Sequence, residues 1–257
     1  MIYFVILGIL LSAWQHADFF RFISHIFHAC QFMKQEQFNI HGITANLEDF
    51  SKVCDNIVFK LINKEANELL LKNVPHVNYL DLAIVFYYLL PSKGDKKEKW
   101  FTIVNNELMQ YWRVSVEELM NRASENTSRL LGLKIQSILS TIAEYTNDKD
   151  WLNYADMEEN HIPLYVATNK ESTYGASVIL YRDMLRAVAE KFNSDLYVIP
   201  CSVHEILLFR PIKGCQVDTS SLKSLISQVN RCEVPKDEVL SDSLYYYSRI
   251  NNELSYA

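Results

Sequence analysis

"DLYVIPCSVHEILLFRP" (Asp195–Pro211) organises the second half of the chain. Two apolar, β-rich runs, "DLYVIPCS" and "HEILLFRP", meet at a polar pinch containing Ser202, His204 and Glu205. That pattern predicts two short strands joined by a tight connection. The flanking sequence agrees. Upstream, "IPLYVATN" alternates Tyr165 and Ala167 against Val166 and Thr168, as a strand does, and "GASVILYRDMLRAVAEKF" passes from an apolar run into an amphipathic helix. Downstream, "DTSSLKSLISQVN" reads as a capped helix.

The first half has a related grammar. "NLEDFSKVCDNIVFKLIN" places Leu47, Phe50, Val53, Cys54 and Ile57 at helix-like intervals before a β-branched run. Asn73-Val74-Pro75-His76 must break any preceding helix, because proline lacks an amide donor and restricts the residue before it. Leu80–Leu90 is expected to be a buried strand, paired through the charged loop Ser92–Lys99 with a strand over Trp100–Trp112, in which Asn105 and Asn106 mark a bulge or turn. Ser115 followed by Glu118 has capping-box spacing and opens a helix over "VSVEELMNRASENTSRLL". The stretch from Gly132 is expected to begin as another helix and end in an acidic loop, 147–161, placed to lid a groove.

The predicted class is α+β: a mainly antiparallel sheet with helices packed on one face, in two strand-pair-plus-helix halves. Residues 46–257 are expected to form one domain, with sub-halves 46–146 and 162–257, behind an apolar and amphipathic segment over 1–45.

Composition narrows the function. The chain has 257 residues, 49% hydrophobic and 22% charged, enough to close a substantial core, and its net charge of −6 gives no general attraction to phosphate backbones. Nucleic acid is therefore not an expected partner. The five cysteines lie apart with no CxxC pair, which predicts reduced thiols and a cytoplasmic protein, with Cys201 beside His204 as a candidate nucleophile. "MIYFVILGILLSAW" is too short to span a bilayer and lacks a positive n-region; export through it as a signal is the alternative. His16, His25, His28 and His41 cluster in the following amphipathic stretch, but no carboxylate joins His25 and His28 at helical spacing, so no metal is expected.

The candidate site residues are those of the pinch. Ser202, His204 and Glu205 would suit hydrolysis, with His76 and Asn105 to Glu107 as partners from the first half. Against this, the sequence has no GxSxG elbow, no phosphate-binding loop and only six glycines, and the same residues can satisfy buried polar groups in a turn. "SLYYYSR" supplies a different chemistry: three consecutive tyrosines, Tyr245 to Tyr247, must point to both faces of a strand, leaving Tyr246 as a candidate contact for a protein or peptide.

"NVPHVNYLDLAIVFYYLL", "ENTSRLLG", "DLYVIPCSVHEILLFRP" and "VNRCEVPKDEVLSDSLYYYSR" occur together and in order. With these blocks the chain resembles, over roughly Asp55 to Arg249, a family of uncharacterised bacterial proteins defined only as a domain of unknown function. The first forty or so residues depart from that family's usual polar, amphipathic start. The resemblance implies no activity, cofactor or catalytic residue. The expectation is a cytoplasmic, non-enzymatic binding or adaptor protein without cofactor or membrane span, and the alternative is a hydrolase centred on His204, Glu205 and His76.

Overall fold

The β-branched and aromatic run "IVFKLIN" forms strand β1 (Ile57–Asn63), directly after a short helix α1 (Phe50–Val53) and a 3-10 turn (Cys54–Asn56). This computed structural model describes residues 49–90, 99, 101–150, 163–200, 202–212, 214 and 216–257. The N-terminal apolar segment and its histidines, most of the loops over 92–99 and 147–161, and Cys201 lie outside the described residues.

After the short helix α2 (Glu68–Leu71), β2 (His76–Tyr79) turns through Leu80 and Asp81 into β3 (Leu82–Leu89). Along one edge, β3 pairs antiparallel with all of β1. Its other edge is shared between β2 and the three-residue β4 (Phe101–Ile103). The strand expected over Trp100–Trp112 therefore stops at Ile103. Asn105 is extended and accepts a hydrogen bond from Leu108 N at 2.8 Å, capping helix α3 (Asn106–Trp112). An asparagine side chain that satisfies an orphan amide starts a helix more readily than it continues a strand.

Helix α4 (Val116–Leu131) follows, with Ser115 Oγ accepting from Glu118 N at 3.1 Å as the capping spacing predicts. Gly132, at a φ of 65°, ends it and redirects the chain. The next residues make strand β5 (Lys134–Ser137) before helix α5 (Ile138–Thr146), where a helix alone was expected. Then come β6 (Leu164–Thr168), a 3-10 helix (Gly175–Leu180), α6 (Met184–Phe192), β7 (Leu196–Ile199), β8 (Ile206–Phe209), α7 (Thr219–Glu233), β9 (Tyr245–Ser248) and β10 (Glu253–Tyr256). Six strands join in the order β10-β9-β7-β8-β6-β5, every pair antiparallel. The class is α+β, with the strands divided between two antiparallel sheets.

Alternation along the strands assigns the layers. Ile57, Phe59 and Leu61 of β1, with Ile84 and Phe86 of β3, share the main core with Ala167, Leu196, Val198, Ile206, Leu208, Tyr245 and Tyr247 of the six-stranded sheet and with α6. The intervening residues of that sheet, including Val166, Ile199 and Leu207, form a second core beneath α5 and α7. The opposite face of the four-stranded sheet carries two smaller apolar clusters, one around Val58 and Phe101 and one around Ala83 and Val85; Tyr87 touches both. Among the described residues, no helix is long and apolar enough to cross a membrane.

Strand β1 lies at a sheet edge, which leaves backbone groups that must find partners. Buried side chains of α4 supply them: Phe59 N donates to Thr127 Oγ1 at 3.0 Å, and Asn126 Nδ2 donates to Cys54 O and Ile57 O at 2.7 and 3.0 Å. Thr127→Val keeps the shape and removes the acceptor. It is expected to cost about 1–3 kcal/mol in chemical denaturation, the scale of one unsatisfied buried amide; an unchanged midpoint would show that water reaches this edge.

Candidate functional site

Ser202 and His204 of the pinch are both held by hydrogen bonds. Ser202 is fully buried, bridges Val239, and its Oγ accepts from His204 N at 3.0 Å. Val203 N donates to Glu238 O at 2.9 Å, and Thr168 Oγ1 donates to His204 O at 2.8 Å. On the imidazole, Nδ1 accepts from Tyr174 N at 3.2 Å and Nε2 lies 3.5 Å from Glu238 Oε1. The rings of Tyr174 and His204 are 5.4 Å apart.

Burial acts on both titratable groups of the pinch. It pulls the His204 imidazole down, but the hydrogen-bonded Glu238 carboxylate and the charge of Glu205 outweigh it and the net direction is up. Burial also raises the Glu205 carboxyl, against the opposing pull of His204 and of a hydrogen bond from Ser202. The Tyr174 amide adds a constraint of its own: a doubly protonated imidazole has no acceptor, so the bond to Nδ1 exists only in the neutral Nε2–H tautomer.

The remaining sequence candidates are dispersed. His76 begins β2 and its Nδ1 sits 3.0 Å from Val74 O. Among the described residues, no hydrogen bond, ion pair or ring contact joins it to His204 or Glu205. Asn105 caps α3, while Asn106 N and Nδ2 donate to Asn73 O and Lys72 O, so this pair fastens the helix to the turn after α2. Tyr245 and Tyr247 face the core, and half-buried Tyr246 donates from its hydroxyl to Asp195 Oδ2 at 2.7 Å, a bond that with burial pushes its phenol up to about 12.

The residue that sequence reasoning passed over is Lys60. It pairs with Val85, which pairs on its other side with His76, so all three share the face turned away from the main core. Lys60 is 3% exposed. Its Nζ lies 4.2, 3.8 and 3.7 Å from the ring centroids of Tyr87, Phe101 and Tyr174. Among the described residues no carboxylate forms an ion pair with this amine. Burial pushes it down to about 7, while ring faces at this distance favour the cation by about 0.5–2 kcal/mol. A lysine in the middle of "IVFKLI" was the available signal, since an amine inside an apolar strand has no ready partner.

The pinch positions the cover of that amine. Tyr174 stands at a φ of 51° in a loop that Asn169 shapes by accepting from Glu171 N and Thr173 N and donating to Thr173 O. Lys99 ties the same loop to the start of β4 through Glu171 at 2.8 Å. The next residue, Gly175, packs so closely that a Cβ there would lie 2.0 Å from Thr168 Oγ1 and 2.6 Å from both Asn169 N and His204 O.

A family model matches residues 13–249, almost the whole chain. The chain belongs to the family of unknown function DUF5688. No curated protein and no solved structure matches it.

Gly175→Ala forces the backbone of the pinch away from the loop. The expected cost is about 1–3 kcal/mol, the range for an overpacked interior site, read as a lowered melting temperature of the full chain. A variant as stable as wild type would mean that this junction yields without cost.

Proposed function

We propose that this member of DUF5688 is a non-enzymatic, cytoplasmic binding protein that takes its ligand at Lys60, beneath Tyr174. The observation that carries this reading is a buried lysine whose amine lies against three aromatic faces and, among the described residues, forms no ion pair with a carboxylate. Such a group is costly to the fold, and unpaired buried charges concentrate where proteins bind or react. The free thiols of Cys54 and Cys232 suit a reducing compartment. The occupied nitrogens of His204 weigh against a hydrolase there, because a general base needs one of them free. The hydroxyl bond of Tyr246 to Asp195 likewise weighs against a peptide partner centred on that tyrosine.

The test is the stability of Lys60→Met. A residue kept for ligand binding at the fold's expense is expected to give a gain of about 0.5–2 kcal/mol at pH 7 when replaced by an apolar chain of similar length. The pH dependence follows from proton numbers. Between about pH 7 and the unperturbed lysine range the unfolded amine is protonated and the folded one is not, so wild-type stability rises with pH in that window. Lys60→Met is expected to flatten the rise between pH 7 and 9. A less stable variant with an unaltered pH slope would make Lys60 a packing residue and overturn the reading.

A further inference from the structure

Tyr174 covers Lys60 from a segment of backbone that needs holding. Ser172 and Tyr174 both stand at a φ of 51°, in the left-handed region that residues with a Cβ rarely adopt, and such positions persist only where surrounding bonds fix them. The segment is anchored on either side: Lys170 N donates to Leu131 O at 3.0 Å, and Ala176 N to Val203 O at 3.2 Å. Between these anchors, Asn169 ties the turn from within, and His204 Nδ1 accepts from the Tyr174 amide at 3.2 Å. With the segment in place Lys60 is buried, so a ligand at its amine needs the Tyr174 ring, 3.7 Å from Nζ, to move aside. The imidazole that holds the Tyr174 amide is 18% exposed, within reach of protons from solvent.

We infer that His204 and Tyr174 form a proton-operated latch: a second proton on the imidazole takes the Nδ1 lone pair that the Tyr174 amide uses, residues 171–174 swing out, and Lys60 is uncovered. The inference rests on the binding reading above and names the regulation of that site. Its basis is geometric, since an imidazolium has two donors and no acceptor, and a donor at Nδ1 would face the Tyr174 N–H. The same proton strengthens the other side of the ring, where Nε2 lies 3.5 Å from Glu238 Oε1 and gains a charge-assisted bond. The charged and titratable groups that face the imidazole are Glu238 after α7, Glu205 of the pinch itself, Lys60 of β1 and the phenol of Tyr174. Burial opposes the second proton, the Glu238 bond and the charges of Glu205 and Glu238 favour it, Lys60 opposes it, and the balance is upward. Burial, with Glu238 and Asp237, raises the Tyr174 phenol, which stays neutral throughout. The two carboxylates therefore pull the ring toward the state that the closed segment forbids, and acidification through the histidine range opens the cover.

The experiment is amide hydrogen exchange of the full chain at about pH 5.5 and about pH 8.5, either side of the histidine range, with each rate divided by its intrinsic chemical rate. Protection over residues 170–176 is expected to fall by about tenfold or more from the higher pH to the lower, the scale of a one-unit difference in proton affinity between closed and open forms, while helix α4 keeps its protection. His204→Asn places an amide oxygen where Nδ1 stands, which accepts from Tyr174 and does not titrate; its loop protection is expected to be the same at both pH values. Glu238→Gln removes a carboxylate that favours the second proton and is expected to shift the loss of protection to lower pH. Unchanged loop protection in the wild type overturns the inference, as does an equal loss in α4 or a pH-dependent loss that His204→Asn retains. Should His204→Asn fail to fold, a pH profile that Glu238→Gln leaves in place overturns it equally. The two readings fail separately, because loop protection in the wild type reads the latch alone and the stability of Lys60→Met reads the site alone.

Discussion

The absence of a side chain at Gly175 is the constraint on which the arrangement depends. It lets the 3-10 helix at Gly175–Leu180 begin against Thr168, Asn169 and the backbone of His204. From there Ala176, Val178 and Ile179 enter the main core between β1 and the six-stranded sheet. The same close approach holds Tyr174 at the rim, where its amide meets His204 and its ring meets Lys60. The pinch, the loop and the amine are thus one construction, and a residue with a Cβ at position 175 disturbs all three.

A second tie joins the sheets at the far end of β3. Asp81, in the turn between β2 and β3, accepts hydrogen bonds from Ser241 Oγ at 2.5 Å, Ser243 Oγ at 2.9 Å and the hydroxyl of Tyr245. Asn63 Nδ2 donates to Leu240 O nearby, at 3.0 Å. Three hydroxyl donors on one carboxylate fix the β2–β3 turn against the start of β9. Burial and the Asp81 bond both raise Tyr245, so the hydroxyl keeps its proton and remains the donor. With Gly175 at one end and Asp81 at the other, the four-stranded sheet is pinned to the six-stranded one at two points far apart along the chain. The apolar core fills the space between them.

Local patterns made much of this legible. The capping spacing at Ser115, the alternation in "IPLYVATN" and the apolar run Leu80–Leu90 each correspond to an element, because each is decided within a few residues by caps or side-chain period. Over Trp100–Trp112 the apolar content predicts a strand, but Asn105 caps a helix after only three residues of it. The division into two sheets was not legible, since it depends on which edges of β1 and β3 find partners at long range. The site was legible in half. His204, Glu205 and Ser202 lie where the pinch placed them, and their interest as polar residues among apolar runs was plain. What they hold, the cover over Lys60, needs contacts to residues 36 and 30 positions away in sequence.

The histidine of the pinch has a physical rationale in hydrogen-bond capacity. A backbone amide at Tyr174 requires an acceptor from this direction, and neutral imidazole supplies one at Nδ1 while offering its Nε2 proton to Glu238. Lysine or arginine could donate to Glu238 but not accept from Tyr174; asparagine could do both but is shorter and has no ring to lie against that of Tyr174. The nearby carboxylates work against the neutral imidazole, because Glu238 and Glu205 favour a second proton. The Tyr174 amide and that proton compete for a single lone pair. Whatever fixes the charge of His204 therefore bears on the loop that carries Tyr174, and through Tyr174 on the cover of Lys60.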